Sequence, residues 1–231
     1  MNIFDLYIAE KKSVPLEEVF LNPEQERLIH QVIREHNHFE QLQELHLPIN
    51  HKLLFFGPSG VGKTFLAQAI ATELNKKTLT LNLSNLVSSR LGETAQNLKQ
   101  LFDKSTRESA VLFLDEFDFI ATSRGHDDKD VGEMRRMVNT LIQHLDHLPE
   151  QTLLIAATNH PELIDPALSR RFPVKVPFYL PTDKELTKYY DHLLSKMPKE
   201  LKDIEYKMEI SYAEAKDYAL SEVKAKFLDS L

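Results

Sequence analysis

Apolar and polar positions along the chain follow two periods, one typical of strands and one of helices. Uninterrupted apolar runs predict strands covered on both faces, and a polar–apolar alternation predicts one more. The predicted strands are 52–56, 78–83, 110–114, 153–157 and 174–178, the last an edge strand because Pro177 cannot donate a ladder hydrogen bond. Helical spacing separates these runs, which predicts an α/β fold with a parallel sheet and right-handed crossovers.

Helix boundaries are marked by capping residues. Asn22 is expected to cap a helix that begins at Pro23, with Gln25 as its capping-box partner. Further helices are predicted at 65–71, 94–104 and 133–146. The segment 123–132 carries five charges and two glycines, which predicts a mobile loop.

The first and last segments of the chain lack the alternation of strands and helices that predicts the central domain. Residues 1–18 follow neither period and are expected to form an N-terminal arm. A frayed terminus is the favoured interpretation of this arm, and a partner-binding peptide is the alternative. Capping boxes at Thr182 and Ser211 predict a small helical lid over 182–231, after a nucleotide-binding α/β domain over 19–181. In the last helix Ala215, Ala219, Val223 and Phe227, spaced by four, are expected to face its core.

The amino-acid composition argues against several classes of function and of binding site. A net charge of −7 over 231 residues argues against general nucleic-acid binding, and the absence of cysteine excludes disulfides and thiol catalysis. The apolar runs are too short to span a bilayer and no signal peptide is evident, so no membrane partner and a cytoplasmic location are expected. The ten histidines show no metal-ligand spacing, which favours ordinary surface residues over a metal site.

The chemistry centres on the stretch Gly57-Pro58-Ser59-Gly60-Val61-Gly62-Lys63-Thr64, which fits the phosphate-loop pattern G-x-x-x-x-G-K-[ST] between a predicted strand and helix. Its glycines let backbone N–H groups converge on an anion, and the helix that follows presents its positive end. Lys63 is expected to reach the terminal phosphates, and the Thr64 hydroxyl to hold Mg²⁺. The residues expected to bind nucleotide here are Pro58, Ser59, Gly60, Val61, Gly62, Lys63 and Thr64.

A carboxylate pair, Asp115 and Glu116, follows the apolar run 110–114. Ligands bind at the carboxyl edge of parallel sheets. There Asp115 can hold the Mg²⁺ water shell, while Glu116 can orient and deprotonate an attacking water.

From about Val19 to Phe178 the chain resembles a AAA+ ATPase module, of the AAA subtype of proteasomal ATPases and AAA proteases. Gly57–Thr64 is similar to its Walker A motif, and Phe113–Glu116 to its Walker B motif.

Three further segments resemble parts of the same module. The segment Val19-Phe20-Leu21 resembles the part that packs around adenine, which implies a nucleotide-binding role for Phe20. Ala156-Ala157-Thr158-Asn159 resembles sensor 1, where Asn159 positions the lytic water or touches the γ-phosphate. Leu163–Phe172 resembles the end of the second region of homology, whose arginines, here Arg170 and Arg171, act on nucleotide in a neighbouring subunit.

The resemblance implies a three-layer P-loop NTPase with a parallel sheet and a small C-terminal helical lid. It also implies an ATP hydrolase that uses Mg²⁺–ATP and assembles into a homo-oligomeric ring or partial ring. Its expected action is remodelling of a protein client or complex. Arg90 stands where threading members of the family carry a pore-loop aromatic, and this leaves open an ATP-driven switch that controls a separate effector. The arginine segment is shorter than usual, so either arginine is a candidate for the trans-acting residue. A P-loop kinase or GTPase is disfavoured, because Asn159 and the arginine pair do not belong to those patterns.

Overall fold

The computed structural model describes residues 7–83, 91–119 and 128–230, with the backbone alone for 91–95 and 128–135. The chain divides into two compact units. The sheet unit holds the chain up to Phe56 together with Thr64–Pro177, and the lid unit holds Gly57–Lys63 together with Phe178–Leu231. The phosphate loop therefore groups with the C-terminal helices.

The sheet unit is built on one mixed sheet in which the described strands lie in the order β1-β3-β4-β5-β2-β6. All neighbouring pairs are parallel except β1 with β3. The strands are β1 (Tyr7–Glu10), β2 (Lys52–Phe56), β3 (Thr78–Asn82), β4 (Val111–Asp115), β5 (Leu154–Thr158) and β6 (Val174–Pro177). The five strands predicted from sequence are confirmed, and β6 lies at the edge of the sheet as its proline requires.

The described helices before the lid are α1 (Pro23–Asn37), α2 (Phe39–Glu44), α3 (Lys63–Glu73), α4 (Leu91–Arg107), α5 (Asp128–Asp146) and α6 (Pro166–Ser169). The capping box at the start of α1 is confirmed: the Asn22 side chain accepts from the backbone N–H of Gln25, and the Gln25 side chain accepts from that of Asn22. The predicted loop 123–132 is wrong for its last five residues, which belong to α5, and its first five lie outside the described residues. Acidic residues at 128 and 130 favour a helix N-terminus there, because they complement the helix dipole.

Strand β1 differs from the frayed terminus that the sequence favoured. Tyr7 pairs with Leu81 on β3 and is only 8% exposed. The chain after β1 is fastened to α3, because the Thr72 hydroxyl accepts from the Val14 N–H at 3.1 Å and donates to the Lys12 carbonyl at 3.0 Å. Long-range pairing thus orders a segment whose own periodicity is uninformative.

Both faces of the sheet are buried. Leu54, Leu79 and Leu112 belong to a cluster on one face, which also takes in buried residues of α4 and α5. The alternate residues Leu53 and Phe55 point to the other face and are fully buried as well. Helices on both faces complete the three-layer α/β arrangement that the pattern predicted.

The lid unit contains α7 (Asp183–Ser195) and α8 (Tyr212–Asp229), each with the predicted capping box. Leu186 and Tyr190 pack against Ala215 and Ala219, and tyrosines enlarge this small core; the Tyr190 and Tyr206 rings stack at 4.5 Å. The expectation for Phe227 is wrong, since its side chain is 49% exposed. Helix α8 has 18 residues against 13 in α7, so its last turn extends beyond the neighbour that buries the earlier turns.

No helix in the described part of the chain is long and apolar enough to cross a membrane.

Candidate functional site

The polar residues of interest follow strands that end at the same edge of the sheet. In the parallel register Phe56 pairs with Thr158, and Leu114 pairs with Ala156, so β2, β5 and β4 end side by side. The chain leaves this edge as the phosphate loop after β2, as Asp115 at the end of β4 with Glu116 directly after it, and as Asn159 after β5. The carboxyl edge of a parallel sheet is where α/β proteins bind their ligands.

Glu116 stands exposed just after β4, in the left-handed backbone region with φ of +53°. Asp115, half-buried at the strand end, accepts the Glu116 backbone N–H through Oδ1 at 3.0 Å. The next N–H, of Phe117, donates to the Ala157 carbonyl at 2.8 Å, and the Phe117 ring packs edge-on against Phe172 at 5.4 Å. These anchors on either side hold Glu116 in a conformation that is costly for a residue other than glycine.

Asp118 is a site residue that sequence reasoning missed. Its Oδ1 accepts the Thr158 hydroxyl at 2.6 Å and the Asn159 backbone N–H at 3.3 Å. The Thr158 hydroxyl oxygen in turn accepts the His160 N–H at 2.9 Å. Asp118 therefore ties the turn after β4 to the end of β5 and fixes the backbone from which the exposed Asn159 side chain projects. Two signals pointed to it: a third acid within four residues, and a polar threonine at the end of an apolar strand.

The phosphate loop has the backbone that its glycines predict, with φ of +142° at Gly57, +75° at Gly60 and +99° at Gly62. These values are accessible to glycine and costly for other residues. Between them Pro58 and Ser59 are exposed. The Val61 side chain is buried at 4% exposure, which leaves its backbone N–H as the group it can offer to a ligand.

Lys63 begins α3 and is 8% exposed. Its ammonium donates to the carbonyls of Gly57 and Pro58 at 2.7 and 2.6 Å. The side chain thus lies across the loop that it belongs to, and its charge is held at the positive end of α3, where phosphate oxygens bind. The expectation that Lys63 reaches the terminal phosphates stays a prediction.

Thr64 is exposed in the first turn of α3, and Asp115 places its carboxylate at the end of β4. A hydroxyl and a carboxylate are the hard oxygen donors that Mg²⁺ takes from proteins, with water and phosphate completing its shell. The donor set therefore fits Mg²⁺. In the described part of the chain, no group of three or more His, Asp or Glu side chains could hold a metal ion.

Phe20 lies, partly buried, just before α1. The segment is fixed by Gln25, whose side-chain amide donates to the Pro177 carbonyl at 2.6 Å while its oxygen accepts the Asn22 N–H. Gln25, the capping-box partner of Asn22, therefore also joins the Phe20 segment to the end of β6.

The two arginines have different surroundings. Arg171 forms a bidentate pair with Asp146 of α5, from Nε at 2.7 Å and Nη2 at 2.8 Å, and donates to the Ala167 carbonyl at 2.5 Å. This pairing raises the pKa of Arg171 and lowers the pKa of the Asp146 carboxyl. Arg170 is exposed at the end of α6, and no side chain in the described part of the chain pairs with it. Arg90, the residue at the pore-loop position, lies outside the described residues.

Comparison with known proteins identifies the family of this chain. Residues 53–180, more than half of the chain, match the family described as the ATPase family associated with various cellular activities (AAA). The chain is 36% identical over 155 residues to an uncharacterized AAA family ATPase of Sinorhizobium fredii, covering 67% of this chain and 47% of the relative. It is 32% identical over 179 residues to a putative 26S proteasome regulatory subunit homolog of Methanocaldococcus jannaschii, covering 76% and 47%. The chain thus spans about half the length of these relatives.

Among solved structures, the AAA domain of FIGL-1 superposes with a TM-score of 0.76 at 19% identity, over 97% of this chain and 76% of that chain. The same domain in complex with ADP gives a TM-score of 0.75 at 20% identity, covering 97% and 77%. At this identity the likeness establishes the P-loop NTPase fold. The family match then adds the activity: the chain is a nucleotide-binding ATPase and belongs to the AAA family.

Proposed function

We propose that this ATPase hydrolyses Mg²⁺–ATP with Glu116 as the base, in an assembly in which neighbouring subunits complete each other's sites. The exposed carboxylate of Glu116, held in a strained turn after β4, carries the catalytic part of the proposal. A carboxylate fixed in this way can accept a proton from water without reorganising. Asn159, whose backbone is fixed through Asp118, orients the same water.

The binding roles follow from the donors described above. Lys63 and the backbone N–H groups of Gly60 to Gly62 bind the phosphates, with Pro58 and Ser59 forming the exposed turn of the loop, and Phe20 packs on the base. Thr64 and Asp115 hold Mg²⁺, which when bound neutralises phosphate charge.

Arg170 is the residue that we assign to the neighbouring subunit's nucleotide. A trans-acting arginine must have a guanidinium that is available at the surface of its own chain. Arg170 meets this requirement, while Arg171 is engaged by Asp146 and by the Ala167 carbonyl. We therefore assign Arg171 the role of holding α5 against α6, so that Arg170 is presented from a fixed position.

The proposed work of the assembly is remodelling of a protein client or complex. The similarity to a proteasome regulatory subunit homolog supports this role. The alternative is an ATP-driven switch that binds a separate effector without threading it, and Arg90 in place of an aromatic favours this alternative. Co-purification with Glu116→Gln in ATP separates the two: an unfolded client held in substoichiometric amount supports remodelling, and a folded stoichiometric partner supports the switch.

The decisive experiment for the shared site mixes variants. Arg170→Ala is expected to bind ATP normally and to hydrolyse it poorly, because transition-state charge lacks its trans-acting partner. Adding Lys63→Ala subunits, which do not bind ATP, should restore activity, since each supplies an intact Arg170 to a neighbour's intact pocket. Arg171→Ala is the companion variant: it is expected to lower the stability of its own subunit, which added Lys63→Ala subunits do not restore, whereas Arg170→Ala should keep parental stability. Parental activity of Arg170→Ala, or no rescue where mixed assemblies form, contradicts the trans role.

A further inference from the structure

The phosphate loop packs against the beginning of α8, within the lid unit. The Ala213 backbone N–H donates to the Gly60 carbonyl at 3.0 Å. A Cβ on Gly60 would lie 2.6 Å from the Ser211 hydroxyl oxygen and 3.1 Å from the Ala213 Cβ. The first distance is shorter than Cβ atoms adopt and the second is tighter than most Cβ contacts, so a side chain at position 60 would force the loop or the helix to shift.

The start of α8 is held by a capping box. Ser211 is 4% exposed, and its hydroxyl and backbone N–H both donate to the Glu214 carboxylate, at 2.7 and 2.8 Å. Ala213 is the second helical residue, and the N–H groups of a first helical turn have no intrahelical acceptor. The Ala213 N–H is therefore available to the loop without cost to the helix.

We propose that the beginning of α8 is a positioning element for ATP binding, and that it acts by setting the orientation of the Gly60–Val61 peptide. A trans peptide is planar, with its C=O and N–H pointing in opposite directions. When Ala213 holds the Gly60 carbonyl, the Val61 N–H is directed away from α8. This N–H is one of the donors that the phosphate loop turns toward an anion.

The inference rests on the proposed phosphate-binding role of the loop, and it adds a residue in the lid that acts only through that loop. Ala213 offers no side-chain chemistry, and its contribution is a single backbone N–H. A peptide released from Ala213 is free to rotate, and the Val61 N–H then loses its fixed direction. ATP affinity should fall, while the chemical step, which depends on Glu116, is retained.

Proline at position 213 tests this directly, because it removes the N–H and is tolerated in the first turn of a helix. The lid provides a matched control. Lys184 is exposed at the same second position of α7, after the same kind of capping box, and its backbone N–H has no described contact with the loop. We expect Ala213→Pro to weaken binding of a non-hydrolysable ATP analogue roughly tenfold, the usual effect of one lost hydrogen bond. Lys184→Pro should bind like the parent. In steady state, KM should rise with kcat little changed.

A second variant covers the case in which Ala213→Pro disturbs α8. Ser211→Thr keeps the capping hydroxyl, as the native Thr182 shows in α7, and adds a methyl group beside Gly60. It should lower ATP affinity in a protein that still unfolds cooperatively on heating, which shows that the lid remains folded.

Calorimetric titration of the parent, Lys63→Ala and these variants separates the outcomes. If Lys63→Ala loses binding while Ala213→Pro and Ser211→Thr bind like the parent, the loop binds phosphate and the role of α8 is refuted. If Lys184→Pro weakens binding as much as Ala213→Pro, the effect is structural and the inference is also refuted. If Lys63→Ala binds like the parent, the proposed role of the loop itself fails.

Discussion

At the scale of single residues, Glu116 combines two properties that rarely coincide. It carries the carboxylate proposed as the catalytic base, and its φ of +53° belongs to a region that suits glycine. For other residues this region costs about 1–2 kcal/mol. The stability of the native state is therefore lowered at the position where the chemistry is proposed.

Comparing Glu116→Gly with Glu116→Ala tests this strain. Both variants lack the carboxylate and should lose ATP turnover. The alanine variant still adopts the unfavourable φ, whereas the glycine variant adopts it without strain. Glycine lowers the free energy of unfolding by about 0.5–1 kcal/mol in another way, because its unfolded chain has more conformational entropy. Urea denaturation should show the glycine variant to be more stable than the alanine variant by up to about 1.5 kcal/mol.

Glu116→Gln completes the series, because the amide keeps the size of the side chain but cannot take a proton; it should bind ATP and not hydrolyse it.

In the comparison of the other two variants, an alanine variant more stable than the glycine variant would show that the backbone at Glu116 is not strained.

At the scale of elements, the end of α1 is joined to the residues that lead into β2. The Glu35 carboxylate accepts the Asn50 backbone N–H at 2.8 Å and its side-chain amide at 3.0 Å, and His36 Nε2 lies 3.2 Å from the Asn50 carbonyl. Burial lowers the pKa of His36, and the charges of Lys76 and His51 contribute in the same direction while Glu35 opposes them. The resulting pKa is about 4. His36 is thus neutral in the folded protein at pH 7, and its Nε2–H donates to Asn50.

This histidine predicts a loss of stability in acid. Its folded pKa lies below the ordinary value of 6.5, so the unfolded chain takes up the proton first, and stability falls as pH drops from about 6.5 towards 4. Between pH 7 and pH 5 the loss should be about 2 kcal/mol. Denaturant unfolding of the parent and of His36→Gln, which keeps a donor for Asn50, isolates the effect. The difference between the two should shrink as pH falls; a constant difference would mean that His36 titrates normally.

Most elements could be predicted from sequence, because their causes are local. The capping boxes at Asn22, Thr182 and Ser211 and the apolar strands are all confirmed. Strand β1 could not be predicted, because its order comes from pairing with β3, which lies far along the chain. In the site, the loop and the carboxylate pair were evident from motifs. The difference between Arg170 and Arg171 was not, because it depends on where α5 places Asp146.

At the scale of the whole molecule, the proposed arginine makes activity a property of the assembly. A lone subunit lacks the neighbour's Arg170, and an arginine supplied in trans is worth about 10³–10⁵ in rate. ATPase activity per subunit should therefore rise with protein concentration and level off as subunits assemble. Native mass measurements with and without ATP, made over the same concentrations, should show larger species where activity rises. Constant specific activity across a change in assembly state would leave Arg170 as surface charge.

The strand order also determines when each strand gains its hydrogen-bonded neighbours during synthesis on the ribosome. Strand β2, which leads into the phosphate loop, lies between β5 and β6. Both of these strands are made after every other strand of the sheet, and β5 follows β2 by about a hundred residues, or roughly 5–20 s of synthesis. Until then β2 has no partner, and its fully apolar core, Leu53 to Phe55, stays exposed. The nascent chain therefore exposes this apolar strand until β5 and β6 have been made, and the phosphate loop that follows β2 gains the support of a paired strand only then.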